Sequence, residues 1–406
     1  MQSVDFADQY LSSRILNTPM RIVVISDWFA EKMGYAENLL PEALARQGAE
    51  VHVVTSDLQP DFPNYRETYE PFLGPRKQAV GRKELNGFVL HRLPHGSELQ
   101  GISLRGLGNV LREIRPDIVQ TFVIPSFSTY QAVFWKPTLG YRLFLEEHMH
   151  RSVFRPGLKG RMFFSIFRWT AGKIIGAASE QCFPIAPDVA EIATHVYGYP
   201  AGKITLCPLG VDTDLFHPVG TETDRSSRAA ARQRLGFLDD DIVCVYSGRF
   251  HPDKDPRCLS VAVEMLHRKD KRFKSLIIGS GTQAEVEEIG GREGCVVHPF
   301  VPARQLPDLY RACEIGVWPR QESTSQLDAA ACGLPIIISD NVQASERIDG
   351  NGLTYREGDA NSLADRIASL ADAAIRRRMG EAGARRMRDL FSWDAIAKQR
   401  LNEYQR

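Results

Sequence analysis

Two cations five residues apart, Arg249 and Lys254, follow the apolar run DIVCVYS (241–247) within GRFHPDKD. An arginine can grip a diphosphate in a fork, and a lysine adds a compact point charge, so the pair suits a phosphorylated ligand. A second group lies in ESTSQLDAAACGLP (322–335). Ser323 is predicted to open a helix by accepting the N–H of Gln326, with Gln326 reaching back to complete a capping box. Ser323, Thr324, Ser325 and Gln326 would then sit where free amides and the helix dipole favour a phosphate. Asp328, just over a turn further in, could accept hydrogen bonds from sugar or ribose hydroxyls. The same stretch also reads as an ordinary capped helix with Asp328 on a solvated face. A third group is EHMH (147–150), directly after YRLFLE (141–146). A neutral imidazole at His148 or His150 could donate to a sugar hydroxyl or orient a reacting group. Histidines at strand ends are also commonly structural, and the functional reading rests on two occurring together at a strand end.

These groups need elements that hold them in place. RIVVIS (21–26), EVHVVT (50–55), GFVLHR (87–92), DIVQTF (117–122) and YRLFLE (141–146) read as strands, as do 182–186 and 204–208. Helical spacing over 37–47, 108–115 and 187–197 alternates with them, the pattern of a parallel sheet covered on both faces. Val219–Arg228 is polar and reads as a linker. A second alternation then begins at 241, with strands at 241–247, 273–278, 296–301, 315–318 and 336–338. Its helices are expected at 229–235, 256–266, 306–312, 323–331, 361–370, 374–390 and 393–404. The fold class is therefore α/β, two doubly wound domains facing a cleft, and ligands in such sheets sit beyond the carboxyl ends of the strands. Gly34, in the loop after the first strand, suits close backbone approach to a ligand. No G-x-G-x-x-G motif is present, which disfavours a nicotinamide-type site.

Composition narrows the class further. The 406 residues carry 50 basic and 50 acidic side chains, a balance that argues against a dedicated nucleic-acid binder. The seven cysteines are scattered without a CxxC pair or a Cys/His cluster, so neither a disulfide frame nor a zinc site is indicated. No apolar run approaches a membrane span. Asp5, Asp8 and Arg14 interrupt any signal-peptide core, and the cytoplasm is the expected compartment. Between Arg151 and Ser179 six basic residues and no acidic one are interleaved with Phe154, Phe163, Phe164, Phe167 and Trp169. Such a stretch can lie on an anionic membrane surface, or it can turn its aromatics to the core as any amphipathic helix does.

Together SGRFHPDKD, LIIGSGT, ITLCPLGVDTDLFHP and AAACGLPIIIS resemble the retaining glycosyltransferases of family 4, which have the two-domain GT-B fold. The resemblance runs from about Arg21 to the C-terminus. It implies an acceptor-binding domain over 1–217, a nucleotide-sugar-binding domain over 218–391, and a C-terminal helix, 392–406, that crosses back to the first domain. It also implies that Gly248, Arg249, Lys254 and Gly279 hold the donor diphosphate, with the turn of Ser323, Thr324, Ser325 and Gln326. Gly34 would lie near donor phosphate and acceptor, His148 would touch the transferred sugar with His150 as its rival, Phe300 and Val301 would grip the base, and Asp328 would contact the ribose. No metal and no cofactor beyond the nucleotide-diphosphate sugar are expected. One departure stands out: the family's first glutamate would fall at Arg320, and the nearest acid is Glu322. Either the loop is two residues shorter and Glu322 does the same work, or the sugar is held differently.

The expected reaction is transfer of a sugar to a hydroxyl acceptor with retention, in which His148, Glu322, Arg249 and Lys254 take part. A lipid-linked or cell-envelope acceptor is expected, with peripheral membrane contact through Arg151–Lys173. Two rivals remain. One is a non-catalytic binding or partner protein on a degenerate fold, motivated by the replaced glutamate. The other is a nucleotide-sugar 2-epimerase.

Overall fold

The structure, a computed structural model, describes residues 19–62, 65–98, 101–151, 154–320, 322–342 and 345–406. The short helix expected before residue 19 lies outside them.

Seven strands form the first sheet: β1 (Arg21–Ser26), β2 (Glu50–Ser56), β3 (Gly81–Leu85), β4 (Phe88–Leu93), β5 (Ile118–Phe122), β6 (Arg142–Glu147) and β7 (Gln181–Pro184). Their spatial order is β3-β4-β2-β1-β5-β6-β7. All pairings are parallel except β3 with β4. Strand β3, GRKEL, was not expected from the sequence, because it is a polar edge hairpin with four of its five residues exposed. Charged edges of this kind discourage pairing with another chain.

The second sheet is entirely parallel. It comprises β8 (Ile242–Arg249), β9 (Phe273–Ser280), β10 (Cys295–Pro299), β11 (Ile315–Trp318), β12 (Ile336–Ser339) and β13 (Gly352–Tyr355), in the order β10-β9-β8-β11-β12-β13. Central strands such as β1 and β12 are buried on both faces and so read as unbroken apolar runs.

Side chains alternate between the two faces of the first sheet. Val23 and Ile25 join one core cluster, whereas Ile22 and Val24 join another. The second cluster also contains Leu40 and Leu44, from the helix Ala36–Arg46, and Trp393, Ile396 and Tyr404, from the final helix Trp393–Gln405. The end of the chain is thus built into the first core. Where it returns, Val211 N–H donates to Phe391 O (2.7 Å) and Trp393 N–H to Val211 O (3.2 Å), so the two crossings between the halves are bonded to each other.

Several expectations need correction. Residues 204–208 do not form a strand; only Ile204 makes an isolated bridge, to Cys182. Residues 219–228 are not a linker. A helix already starts at Glu222, capped by Thr221, whose hydroxyl accepts the Asp224 N–H while the Asp224 carboxylate accepts the Thr221 N–H. The strand expected to reach Val301 ends at Pro299. The helix Phe127–Leu139 was missed, because Pro137 and its aromatic residues mask the helical period.

Candidate active site

The two halves face each other across a cleft of about 710 Å³. The carboxyl ends of β8 and β9 bring Gly248, Arg249 and Gly279 to it. The backbones approach closely here: a Cβ on Gly279 would lie 1.8 Å from Gly248 O. Arg249 is exposed, and its guanidinium makes no hydrogen bond or ion pair among the described residues. Lys254 stands beside it. Its Nζ donates to Glu322 O (2.9 Å), and burial, followed by repulsion from Arg249, pulls it down to about 8. Two cations held together in a cleft, one of them lowered by burial and by the other's charge, form a site that an anion would complete.

Across the cleft, Gly34 adopts φ +69° in the loop before the helix Ala36–Arg46. His148 follows β6 and also lines the cleft. Its Nε2 lies 2.8 Å from Glu146 Oε1. Burial alone would lower the imidazole, but the Glu146 carboxylate, with Glu147 and Glu37 nearby, carries it above its ordinary value. Glu146 is in turn gripped by Arg400 Nη2 (2.9 Å) and Gln120 Nε2 (2.8 Å). Glu37, in the first turn of its helix, also lines the cleft, and desolvation pushes its carboxyl up to about 7. The Glu146 carboxylate thus favours the protonated form of the imidazole more than an isolated histidine would.

Phe300 and Val301 line the cleft from the loop after β10. The Phe300 ring packs on Tyr69 and Phe72 of the first half, with centroids 5.6 and 6.0 Å apart. Thr324, Ser325 and Asp328 line the cleft as well. Asp328 is pushed up to about 8 by burial, with Asp212 adding repulsion.

Four residues singled out from the sequence do not line this cleft: His150, Glu322, Ser323 and Gln326. The capping box is absent. The helix is only Ser325–Ala331, the Ser323 hydroxyl accepts the Ser325 N–H (3.3 Å), and the buried Gln326 Oε1 accepts from Arg347 (3.0 Å). Glu322 turns toward His150, whose Nδ1 is 3.8 Å from its carboxylate and 3.1 Å from that of Asp188. Ligand atoms of His150, Asp188 and Glu322 all lie within 4.8 Å of one another, a grouping that could hold a cation. It could not be read from the sequence, because its members are far apart in the chain. Sequence reasoning also passed over Glu37, Glu146 and Asp212. An acid three residues after Gly34 at a helix start was a usable signal; Glu146, inside an apolar strand, acquires meaning only once Arg400 is beside it.

Parallel sheets in two halves, meeting at a cation-lined cleft, define a GT-B architecture. A family model described as Glycosyltransferase Family 4 matches residues 39–215, and one described as Glycosyl transferases group 1 matches 241–373; between them they account for most of the chain, which belongs to this glycosyltransferase family. A D-inositol 3-phosphate glycosyltransferase of Xylanimonas cellulosilytica is 32% identical over 253 residues, 57% of this chain and 60% of that protein. The match thus spans about three fifths of that relative's length. Among solved structures, a sucrose-phosphate synthase from Thermosynechococcus elongatus superposes with a TM-score of 0.67 at 20% identity, covering 95% of this chain and 98% of that one. A glycosyltransferase from Rickettsia africae gives 0.70 at 14%, covering 96% and 98%. Among the described residues no helix is long and apolar enough to cross a membrane.

Proposed function

We propose that this protein transfers a sugar from a nucleoside-diphosphate sugar to a hydroxyl acceptor, with retention at the anomeric carbon. The observation that carries the reading is the Arg249–Lys254 pair, which follows the buried part of β8 and lines the cleft together with Gly248 and Gly279. The bond from the anomeric carbon to the diphosphate breaks, the acceptor oxygen attaches on the same face, and the acceptor's hydroxyl proton passes to the departing diphosphate oxygen. Arg249 and Lys254 stabilise the charge that grows on the leaving diphosphate. His148 donates to a hydroxyl of the transferred sugar, Asp328 and the Thr324–Ser325 turn meet the nucleotide, and Phe300 with Val301 flanks its base. Glu37, which lines the cleft three residues after Gly34 and is pushed up to about 7 by burial, is read as the group that accepts a hydrogen bond from the acceptor hydroxyl. No resident metal or cofactor is invoked, and the acceptor is taken to be lipid-linked or of the cell envelope.

Replacing both Arg249 and Lys254 by Ala abolishes turnover across a panel of nucleotide sugars while the far-UV spectrum and melting curve stay those of a folded protein. Normal turnover by the double variant would sink the assignment. One observation favours a second reading, a donor-binding protein without transfer chemistry: Glu322 is turned toward His150 rather than the cleft. Under that reading the wild type binds nucleotide sugars, seen as a thermal shift, but consumes none.

A further inference from the structure

The basic, aromatic segment after His150 resolves into two helices, Leu158–Trp169 and Ala171–Ala178. The inner face of the first is committed to the core: Phe167 is buried there, and Phe163 and Phe164 pack against the same cluster. Its outer face is apolar as well. Leu158, Met162, Ile166 and Trp169 recur at helical spacing, and with Ile174 of the second helix they are 61–77% exposed. A helix that is apolar on both faces needs a second apolar partner.

Charge identifies that partner. Lys159, Arg161 and Lys173 are exposed around the stripe, and no acidic residue occurs between Arg151 and Ser179. Arg168 and Lys173 both approach the Trp169 ring, at 5.3 and 5.8 Å from its centroid. An indole flanked by cations is the arrangement that seats at the level of lipid headgroups. A protein interface would normally balance such a one-signed rim with acids. We propose that the outer face of Leu158–Ala178 docks on an anionic lipid bilayer, its apolar stripe reaching the acyl boundary and its cations meeting headgroup phosphates. The helix begins ten residues after His148, so the docked surface is tied by a short segment of chain to the first-domain wall of the cleft. The proposal does not depend on the transfer chemistry.

The test is flotation of the full chain with vesicles of phosphatidylcholine alone or mixed with phosphatidylglycerol, at low and high salt. The wild type floats with the anionic vesicles and is released by salt. The M162S/I166S/W169S variant, altered only at exposed positions, loses flotation while its melting temperature is unchanged. R161Q weakens partitioning by about fivefold, the effect of one cation near an anionic surface. Absence of wild-type flotation, equal flotation with neutral vesicles, or unchanged flotation of the triple variant overturns the proposal. So does a concentration-dependent dimer that the triple variant abolishes, since the stripe would then be covered by a second copy.

Discussion

Substituting Arg400 tests how the end of the chain sets the charge of a group in the cleft. Arg400 is fully buried in the last helix, bonded to Glu146 at 2.9 Å and stacked on Phe183 at 3.8 Å from the ring centroid. Glu146 is held below its ordinary 4.5, against its own burial, chiefly by Arg400 and then by His148. Met at position 400 keeps much of the stem but leaves a buried carboxylate without its cation, a loss of ~3–5 kcal/mol. Glu146 then rises and protonates more readily, its hold on His148 weakens, and the imidazole falls below its present raised value. The signs are definite. The gain from His148 pairing is complete below 6.5 and disappears as pH rises through its raised folded value. The gain from Glu146 is complete above 4.5 and disappears as pH falls through its lowered one. Loss of the guanidinium raises the proton affinity of the Glu146–His148 pair as a whole, so the R400M native state holds more protons and its stability deficit against wild type widens as pH rises. Denaturant unfolding across pH measures it, and titration of the His148 imidazole by NMR gives a readout that a purely packing role would not move. E146Q, which removes the buried charge, costs little extra in the R400M background, so the double-mutant cycle shows strong coupling. An unchanged His148 titration in R400M, or strictly additive effects, would refute the chain from Arg400 through Glu146 to His148.

Two further outcomes follow from the donor half of the cleft. Lys254 is held at about 8 against its ordinary 10.5, so an anion that needs the ammonium loses affinity as pH climbs past 8, by up to about tenfold per unit until the bound-state value is reached. Calorimetry with inorganic pyrophosphate should show this slope in the wild type and not in K254A; a flat wild-type profile contradicts the placement of Lys254 beside the anion. Gly279→Ala would drive its Cβ to 1.8 Å from Gly248 O, backbone against backbone, at a glycine with φ +152°. Neither strand end can yield cheaply, so a loss on the order of 3 kcal/mol or more is expected, and a melting temperature within a degree or so of wild type would show the two strands are not so closely joined.

The central strands were legible because a strand buried on both faces must be apolar along its whole length, and RIVVIS and IIIS have no other use. The polar edge strand β3 left no such trace. Helix starts were legible only where local capping decides them: Thr221 with Asp224 carries that signal inside a stretch whose composition read as a linker, whereas Ser323 with Gln326 carries it and forms no box. Arg347 won that competition, because a buried amide next to a guanidinium bonds to it rather than reaching back along its own helix.

The sequence by itself determined the α/β class, the cations at and just after the end of β8, and the histidine beyond β6, since each of these depends on neighbours a few residues away. Only the tertiary structure decided which of two histidines faces the cleft, that Glu322 turns to His150 and Asp188, that Asp328 and Glu37 are raised to about 8 and about 7, and that Arg400 reaches Glu146. The physical reason is common to all four. Desolvation and pairing act through space over a few ångströms, and the chain brings those partners together only when both domains and the returning helix are in place.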